Sequence, residues 1–111
     1  MARDPLIYVD DALDEISFLA KLLAGRDKHS FLNDPTAFRA SAYSLLKISE
    51  ACRKIPENWL NRAPLVNWKG VYAIGNKIRH EYFRLDEDIM WDVLTGRLAE
   101  LESALELIKR G

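Results

Sequence analysis

The fold is decided by residues 6–23, which read LIYVDDALDEISFLAKLL. Apolar side chains recur along this stretch at alternating steps of three and four, at Leu6, Val9, Leu13, Ile16, Ala20 and Leu23. This spacing is typical of one face of an amphipathic helix, and Gly25 is a natural stop for that helix. A first helix that directs a single face to the core is therefore predicted.

Three further segments carry the same spacing. Asp34 and Pro35 can cap and open a second helix that runs to about Arg53. Asn67 can cap a third helix that begins at Trp68 and ends at about Glu81, and Asp86 can cap the last helix. The residues predicted to point inward are Phe38, Ala42, Leu45, Ile48 or Ser49, Cys52, Val71, Ile74, Ile78, Trp91, Leu94, Leu98, Leu101, Leu105 and Ile108.

No segment alternates apolar and polar residues for long enough to predict a strand. A short helical piece, residues 57–62, lies between Pro56 and Pro64. The sequence therefore predicts an all-α protein, an antiparallel four-helix bundle with short extra helical pieces, as one domain over residues 1–111.

Composition limits the class of protein further. The apolar share of 49% and the charged share of 30% are those of an ordinary globular domain. No run approaches the ~20 apolar residues that span a bilayer, so no membrane association is expected. A lone cysteine, Cys52, and an early Asp4-Pro5 favour the cytoplasm over export. The net charge of −1 argues against a general nucleic-acid coat.

Charge is unevenly distributed near the end of the third predicted helix. Residues 69–84 carry four basic side chains against one acid, Glu81. Residues 86–92 carry four acids and no base. A polyanion would therefore meet the 69–84 segment, unless this clustering is only that of solvated helix faces.

Aromatic and apolar side chains are also dense in this half of the chain. They are Trp59, Trp68, Tyr72, Phe83, Ile89, Met90, Trp91, Val93 and Leu94. Such an excess marks either an interaction surface or a small core filled with bulky residues.

The residues that best support chemistry are Asn76 and His80. They are four positions apart, so they share one face of the third helix. A histidine can take a proton from a 2′-hydroxyl or give one to a leaving oxygen, and a nearby cation can stabilise a phosphoryl transition state. The alternative is a histidine that only complements the dipole at the end of its helix. The second histidine, His29, lies in a polar stretch with no partner pattern.

Metal chemistry has less support. One cysteine and two distant histidines do not supply the ligands of a zinc site. The acids Asp10, Asp11, Asp14 and Glu15 could form a magnesium site, but an acidic face on the first helix is the more economical interpretation.

One set of spaced motifs resembles the HepT-like branch of the HEPN superfamily. The motifs are Trp68-Lys69, Gly75-Asn76-Lys77-Ile78-Arg79-His80-Glu81-Tyr82-Phe83, Asp86 and Ile89-Met90-Trp91-Asp92-Val93. Ser49-Glu50-Ala51 lies where members commonly show Gly-Glu-Ala, and the resemblance covers nearly the whole chain. It implies a small helical bundle that forms homodimers, cleaves RNA without a metal or other cofactor, and pairs with a minimal nucleotidyltransferase as toxin and antitoxin.

The resemblance also implies roles for particular residues. His80 and Asn76 match the catalytic motif, and Arg79 and Lys77 are candidate phosphate contacts. Tyr82 matches a tyrosine that the nucleotidyltransferase partner can modify with AMP. The motif arginine would stand immediately before Asn76, where this chain has Gly75.

This departure leaves two hypotheses open. The chain is a ribonuclease toxin, or a catalytically impaired relative that serves as a binding partner or modification target of the nucleotidyltransferase. On the second hypothesis, Gly75→Arg restores cleavage. Gly75 itself is expected where another helix, from this chain or from a second subunit, approaches closely.

Overall fold

The computed structural model describes residues 4–111, which form seven α-helices and one 3-10 turn. The helices are α1 (Pro5–Leu23), α2 (Lys28–Leu32), α3 (Pro35–Arg53), α4 (Glu57–Leu60), α5 (Trp68–Glu81), α6 (Glu87–Gly96) and α7 (Leu98–Arg110). The 3-10 turn, Tyr82–Arg84, follows α5 directly. The prediction of an all-α bundle is confirmed.

The predicted capping residues start their helices as expected. The Asp34 carboxylate accepts hydrogen bonds from the amides of Thr36 and Ala37, while Pro35 occupies the first turn. Asn67 caps α5 and Asp86 caps α6 in the same way. After α1 ends, Gly25 adopts a φ of +74°, which a side chain would disfavour.

Helix α3 lies at the centre of the bundle. It packs most extensively against α1 on one side and α5 on the other, while α7 packs against α1. Small buried side chains on α3, those of Ser41, Ser44 and Ser49, allow its neighbours to approach closely. The Ser44 hydroxyl donates to the Glu15 carboxylate at 2.9 Å, which ties α3 to α1.

Two details of the predicted helices are corrected. On α1 the fully buried positions are Val9, Ala12, Ile16 and Leu19, whereas Ala20 is exposed. The buried face therefore includes the predicted Val9 and Ile16 but is wider than predicted, because α1 contacts both α3 and α7.

The last predicted helix is also two helices, which meet at Arg97 with φ −120° and ψ −25°. Gly96 has low helix propensity, and the Thr95 hydroxyl donates to the Trp91 carbonyl at 2.8 Å, a contact that bends helices.

The short helix α2 was not predicted. Asp27 and Ser30 form a reciprocal capping box at its start, and Phe31 is fully buried within it. Phe31 packs against Trp91 of α6 at 5.2 Å and against Phe38 of α3 at 6.3 Å between ring centroids. Part of the aromatic and apolar excess of the sequence thus fills the core, whereas Phe83 and Ile89 are exposed.

An apolar groove opens between α5 and α7, which scarcely touch each other. Its volume is about 930 Å³, and its floor is formed by Leu45 and Ile48 of α3. Leu65, which is fully exposed, and the partly exposed Leu107 line it as well. No helix within residues 4–111 is long and apolar enough to cross a membrane.

Candidate active site on helix α5

The polar face of α5 gathers the predicted site residues. Asn76, Lys77 and His80 are all exposed there, together with Lys69 and Ala73. Lys69, Ala73, Asn76 and His80 follow one another at steps of four, three and four, so they form one stripe along the helix, and Lys77 lies beside it. The prediction that Asn76 and His80 share a face is therefore confirmed.

Gly75 lies on the other side of α5, buried against α3. A Cβ built on Gly75 would lie 2.5 Å from the Ser49 Cβ and would also collide with the Ser49 hydroxyl. The close neighbour expected at this glycine is therefore α3 of the same chain, and a second subunit is not needed to explain it. A side chain at position 75 therefore requires α5 and α3 to move apart or Ser49 to be replaced.

Asn76 is held by two guanidinium groups. Its side-chain oxygen accepts from Arg53 Nη2 at 3.2 Å and from Arg79 Nη1 at 3.4 Å. Arg53 is the last residue of α3, so this contact joins the two helices beside the site. Sequence reasoning missed Arg53, because 23 positions separate it from Asn76 and only the packing of α3 on α5 brings them together.

The two predicted phosphate contacts differ in their surroundings. Arg79 forms an ion pair with Glu50 of α3, so its charge is largely neutralised by a neighbour. Lys77 is exposed and forms no ion pair within residues 4–111. Only Lys77 of this pair thus presents an unneutralised charge to solvent.

His80 stands in the last turn of α5 with its side chain exposed. No hydrogen bond joins the His80 ring to another residue in the described part of the chain, where the only histidine ring with such a contact is that of His29. A free imidazole in this position is available to a ligand, and it also faces the negative end of the helix dipole. His29 on α2 differs, since its ring lies 3.3 Å from the side-chain nitrogen of Asn33, the residue that follows that helix.

Tyr82 begins the 3-10 turn immediately after α5 and is partly exposed. Its ring packs against Phe38 of α3 at 6.4 Å and against Phe83 at 6.3 Å between centroids. The Phe83 side chain is fully exposed beside it. The tyrosine is thus anchored on one side while the other side faces solvent.

Two of the four acids on α1 that were considered as a magnesium site form ion pairs. Asp10 forms an ion pair with Lys109 and Glu15 with Lys47, and no three His, Cys, Asp or Glu side chains of residues 4–111 come together as a metal site. Cys52 is fully buried, and burial raises the pKa of its thiol to about 12, which makes it a poor nucleophile.

The helical bundle thus gathers an exposed histidine, an asparagine one turn away and two adjacent guanidinium groups beside α5. Comparison with known proteins names the family. Residues 12–108 match the HepT-like family, which is described as ribonuclease HepT-like, and the chain belongs to it.

Relatives align over nearly their full length. A protein of Caldanaerobacter subterraneus subsp. tengcongensis, whose name gives RNase as a proposed activity, is 30% identical over 96% of this chain and 95% of its own length. A protein of Methanocaldococcus jannaschii with a similar name is 28% identical over 96% of this chain and 89% of its own. The probable ribonuclease HepT of Thermococcus cleftensis is 23% identical over 99% of this chain and all of its own. No solved structure matches the chain.

Proposed function

We propose that this protein is a metal-independent endoribonuclease and the toxin component of a pair with a minimal nucleotidyltransferase. The observation that carries the proposal is the exposed imidazole of His80, one helical turn from an Asn76 side chain fixed by two arginines. Membership of a ribonuclease family supports the same reaction class.

The chemistry follows from these groups. His80 takes the proton of a ribose 2′-hydroxyl, and the 2′-oxygen attacks the adjacent phosphorus. The bond from phosphorus to the 5′-oxygen breaks, and that oxygen takes up a proton. The products are a 2′,3′-cyclic phosphate and a 5′-hydroxyl end. Asn76 contacts the phosphate, with Lys77 nearby as a mobile cation and Arg79 holding Asn76 in place.

We also propose that the active species is a homodimer. Each chain carries a single histidine on this face, whereas acid and base catalysis together are served by two. The fully exposed Phe83 and Leu65 and the half-exposed Ile89 are apolar surface that a second copy would cover. Sedimentation measurements on the purified protein test this assembly.

The experiment for the activity compares the two histidines. Wild-type protein with excess EDTA is expected to cleave single-stranded RNA and to leave cyclic phosphate ends. His80→Ala should lose this activity, while His29→Ala, the same change on exposed α2, should retain it. Intact RNA at high concentrations of folded, unmodified wild-type protein would contradict the proposal.

The second candidate is a catalytically impaired binding partner or modification target of the nucleotidyltransferase. The packing of Gly75 on Ser49 favours it, because a side chain at the position of the motif arginine would collide with Ser49. Restoration of cleavage by Gly75→Arg alone, as expected from the sequence, is no longer expected, since Ser49 blocks that arginine.

Modification at Tyr82 tests the second candidate. The Tyr82 oxygen would attack the α-phosphorus of ATP bound to the nucleotidyltransferase, with loss of pyrophosphate. Mass spectrometry after co-incubation should show one added AMP on wild type and none on Tyr82→Phe. Failure of the two proteins to co-purify, together with an unchanged mass, would argue against this candidate.

A further inference from the structure

Arg53 places a guanidinium group on the polar face of α5 from outside that helix. Its Nη2 donates to the Asn76 side-chain oxygen at 3.2 Å and to the Tyr72 carbonyl at 3.4 Å. The guanidinium also lies over the Tyr72 ring, with 4.9 Å between its carbon and the ring centroid. These contacts fix the charged end of the Arg53 side chain in one place. The side chain therefore loses little further conformational entropy when a ligand binds.

Most of the hydrogen-bonding capacity of Arg53 remains free. A guanidinium carries five N–H donors, and both hydrogen bonds of Arg53 within residues 4–111 come from Nη2. Arg53 is exposed and forms no ion pair in this part of the chain. Arg79 differs, because Nη2 pairs with Glu50 and Nη1 contacts Asn76.

The position of the exposed histidine relative to Arg53 follows from Asn76, which Arg53 contacts. Asn76 precedes His80 by four residues, which is about 6 Å along the helix axis. Around the helix, His80 is offset from Asn76 by about 40°, since successive residues turn by about 100°. Because Arg53 contacts Tyr72 and Asn76, and His80 lies one turn beyond Asn76, Arg53 and His80 flank Asn76 along the helix.

We propose that Arg53 binds a phosphate group of the RNA substrate and supplies the guanidinium that Gly75 does not. This inference rests on the proposed ribonuclease function. A planar guanidinium fits two phosphate oxygens at once, which a lysine such as Lys77 does not. The arginine reaches the site from α3, so α5 can pack tightly through Gly75 while the site keeps its cation.

The test measures RNA binding separately from cleavage. In a His80→Ala background, the affinity for a short fluorescein-labelled single-stranded RNA is measured by anisotropy over a series of salt concentrations. Arg53→Gln should weaken binding about ten-fold, the loss expected for one charge-assisted hydrogen-bonded contact. It should also reduce the slope of log affinity against log salt by about 0.7, the value for one phosphate on a single strand.

Two variants separate this role from a structural one. Arg53→Lys keeps the charge and should restore the salt slope without the full affinity. Arg97→Gln makes the same change at an exposed arginine on the groove between α5 and α7, and it should alter neither quantity. Thermal unfolding of each variant establishes that it is folded.

The outcomes distinguish this proposal from the proposed function. Wild-type cleavage together with an Arg53→Gln variant that keeps both affinity and salt slope would overturn the role of Arg53 alone. Arg53-dependent binding by a wild-type protein that does not cleave would sustain the role of Arg53 and overturn the nuclease. A wild-type protein that neither binds nor cleaves RNA overturns both.

Discussion

The contact between Gly75 and Ser49 can be tested by adding one methyl group. Gly75→Ala would place a Cβ 2.5 Å from the Ser49 Cβ, whereas nonbonded carbons settle at about 3.5–4.0 Å. Overpacking of this kind costs up to about 3 kcal/mol, and the gain in helix propensity from glycine to alanine offsets about 1 kcal/mol. Gly75→Ala is therefore expected to lower the free energy of unfolding by about 2 kcal/mol.

The sign should reverse when Ser49 is replaced by glycine. The next nearest atom to the new Cβ is then the Ser49 Cα at 3.9 Å, an ordinary contact. In the Ser49→Gly background, Gly75→Ala should thus stabilise the protein by about 1 kcal/mol, the helix propensity alone. The two positions are then coupled by about 3 kcal/mol in a double-mutant cycle.

Urea unfolding followed by circular dichroism measures all four corners of the cycle. Ser49→Ala is the matched control, because it removes the hydroxyl and keeps the Cβ that makes the closest backbone-fixed collision. Gly96→Ala is a second control, since a Cβ there meets nothing within 4 Å. The reasoning is refuted if Ser49→Ala relieves Gly75→Ala as fully as Ser49→Gly does, or if Gly75→Ala has the same effect in every background.

Two further predictions concern the core and the surface. Cys52 should resist thiol reagents until urea unfolds the protein, because its side chain is fully buried. Its pKa of about 12 in the folded protein exceeds the unfolded value of about 8.5, so the stability contributed by the protonated thiol is present below pH 8.5 and is lost as pH rises towards 12. Cys52→Ala should remove this loss from the alkaline unfolding curve. Phe31→Ala should destabilise the protein by about 3–5 kcal/mol in urea unfolding. Tyr43→Ala, at an exposed ring on α3, should change stability by less than about 0.5 kcal/mol, and equal effects of the two changes would contradict the packing described.

The sequence was sufficient to predict the helices whose ends are marked by capping residues. Asn67 and Asp34 fix the starts of α5 and α3, because their side chains satisfy amides that have no partner within the helix. Helix α2 was not predicted, because its five residues are too few to show the helical spacing of apolar side chains. The break at Arg97 was not predicted, because the helical spacing of apolar side chains continues unchanged across the bend.

The site was predictable only in part for a related reason. Spacing along one helix is local, so it placed Asn76 and His80 together correctly. The partners of Asn76 and Gly75 on α3 depend on how two distant segments pack, and periodicity carries no information on that register. Arg53 and Ser49 could therefore be identified only from the three-dimensional arrangement.

The groove beside α5 has a consequence for the motions of the site. Helix α5 is held along one side by α3, while the side towards α7 is open. Segments with fewer buried contacts open at lower free energy than the whole protein unfolds, so the amide protons of α5 should exchange with solvent before those of α1 and α3. The helix that presents His80 can therefore loosen without global unfolding, and any molecule that fills the groove would slow that exchange and hold the site still.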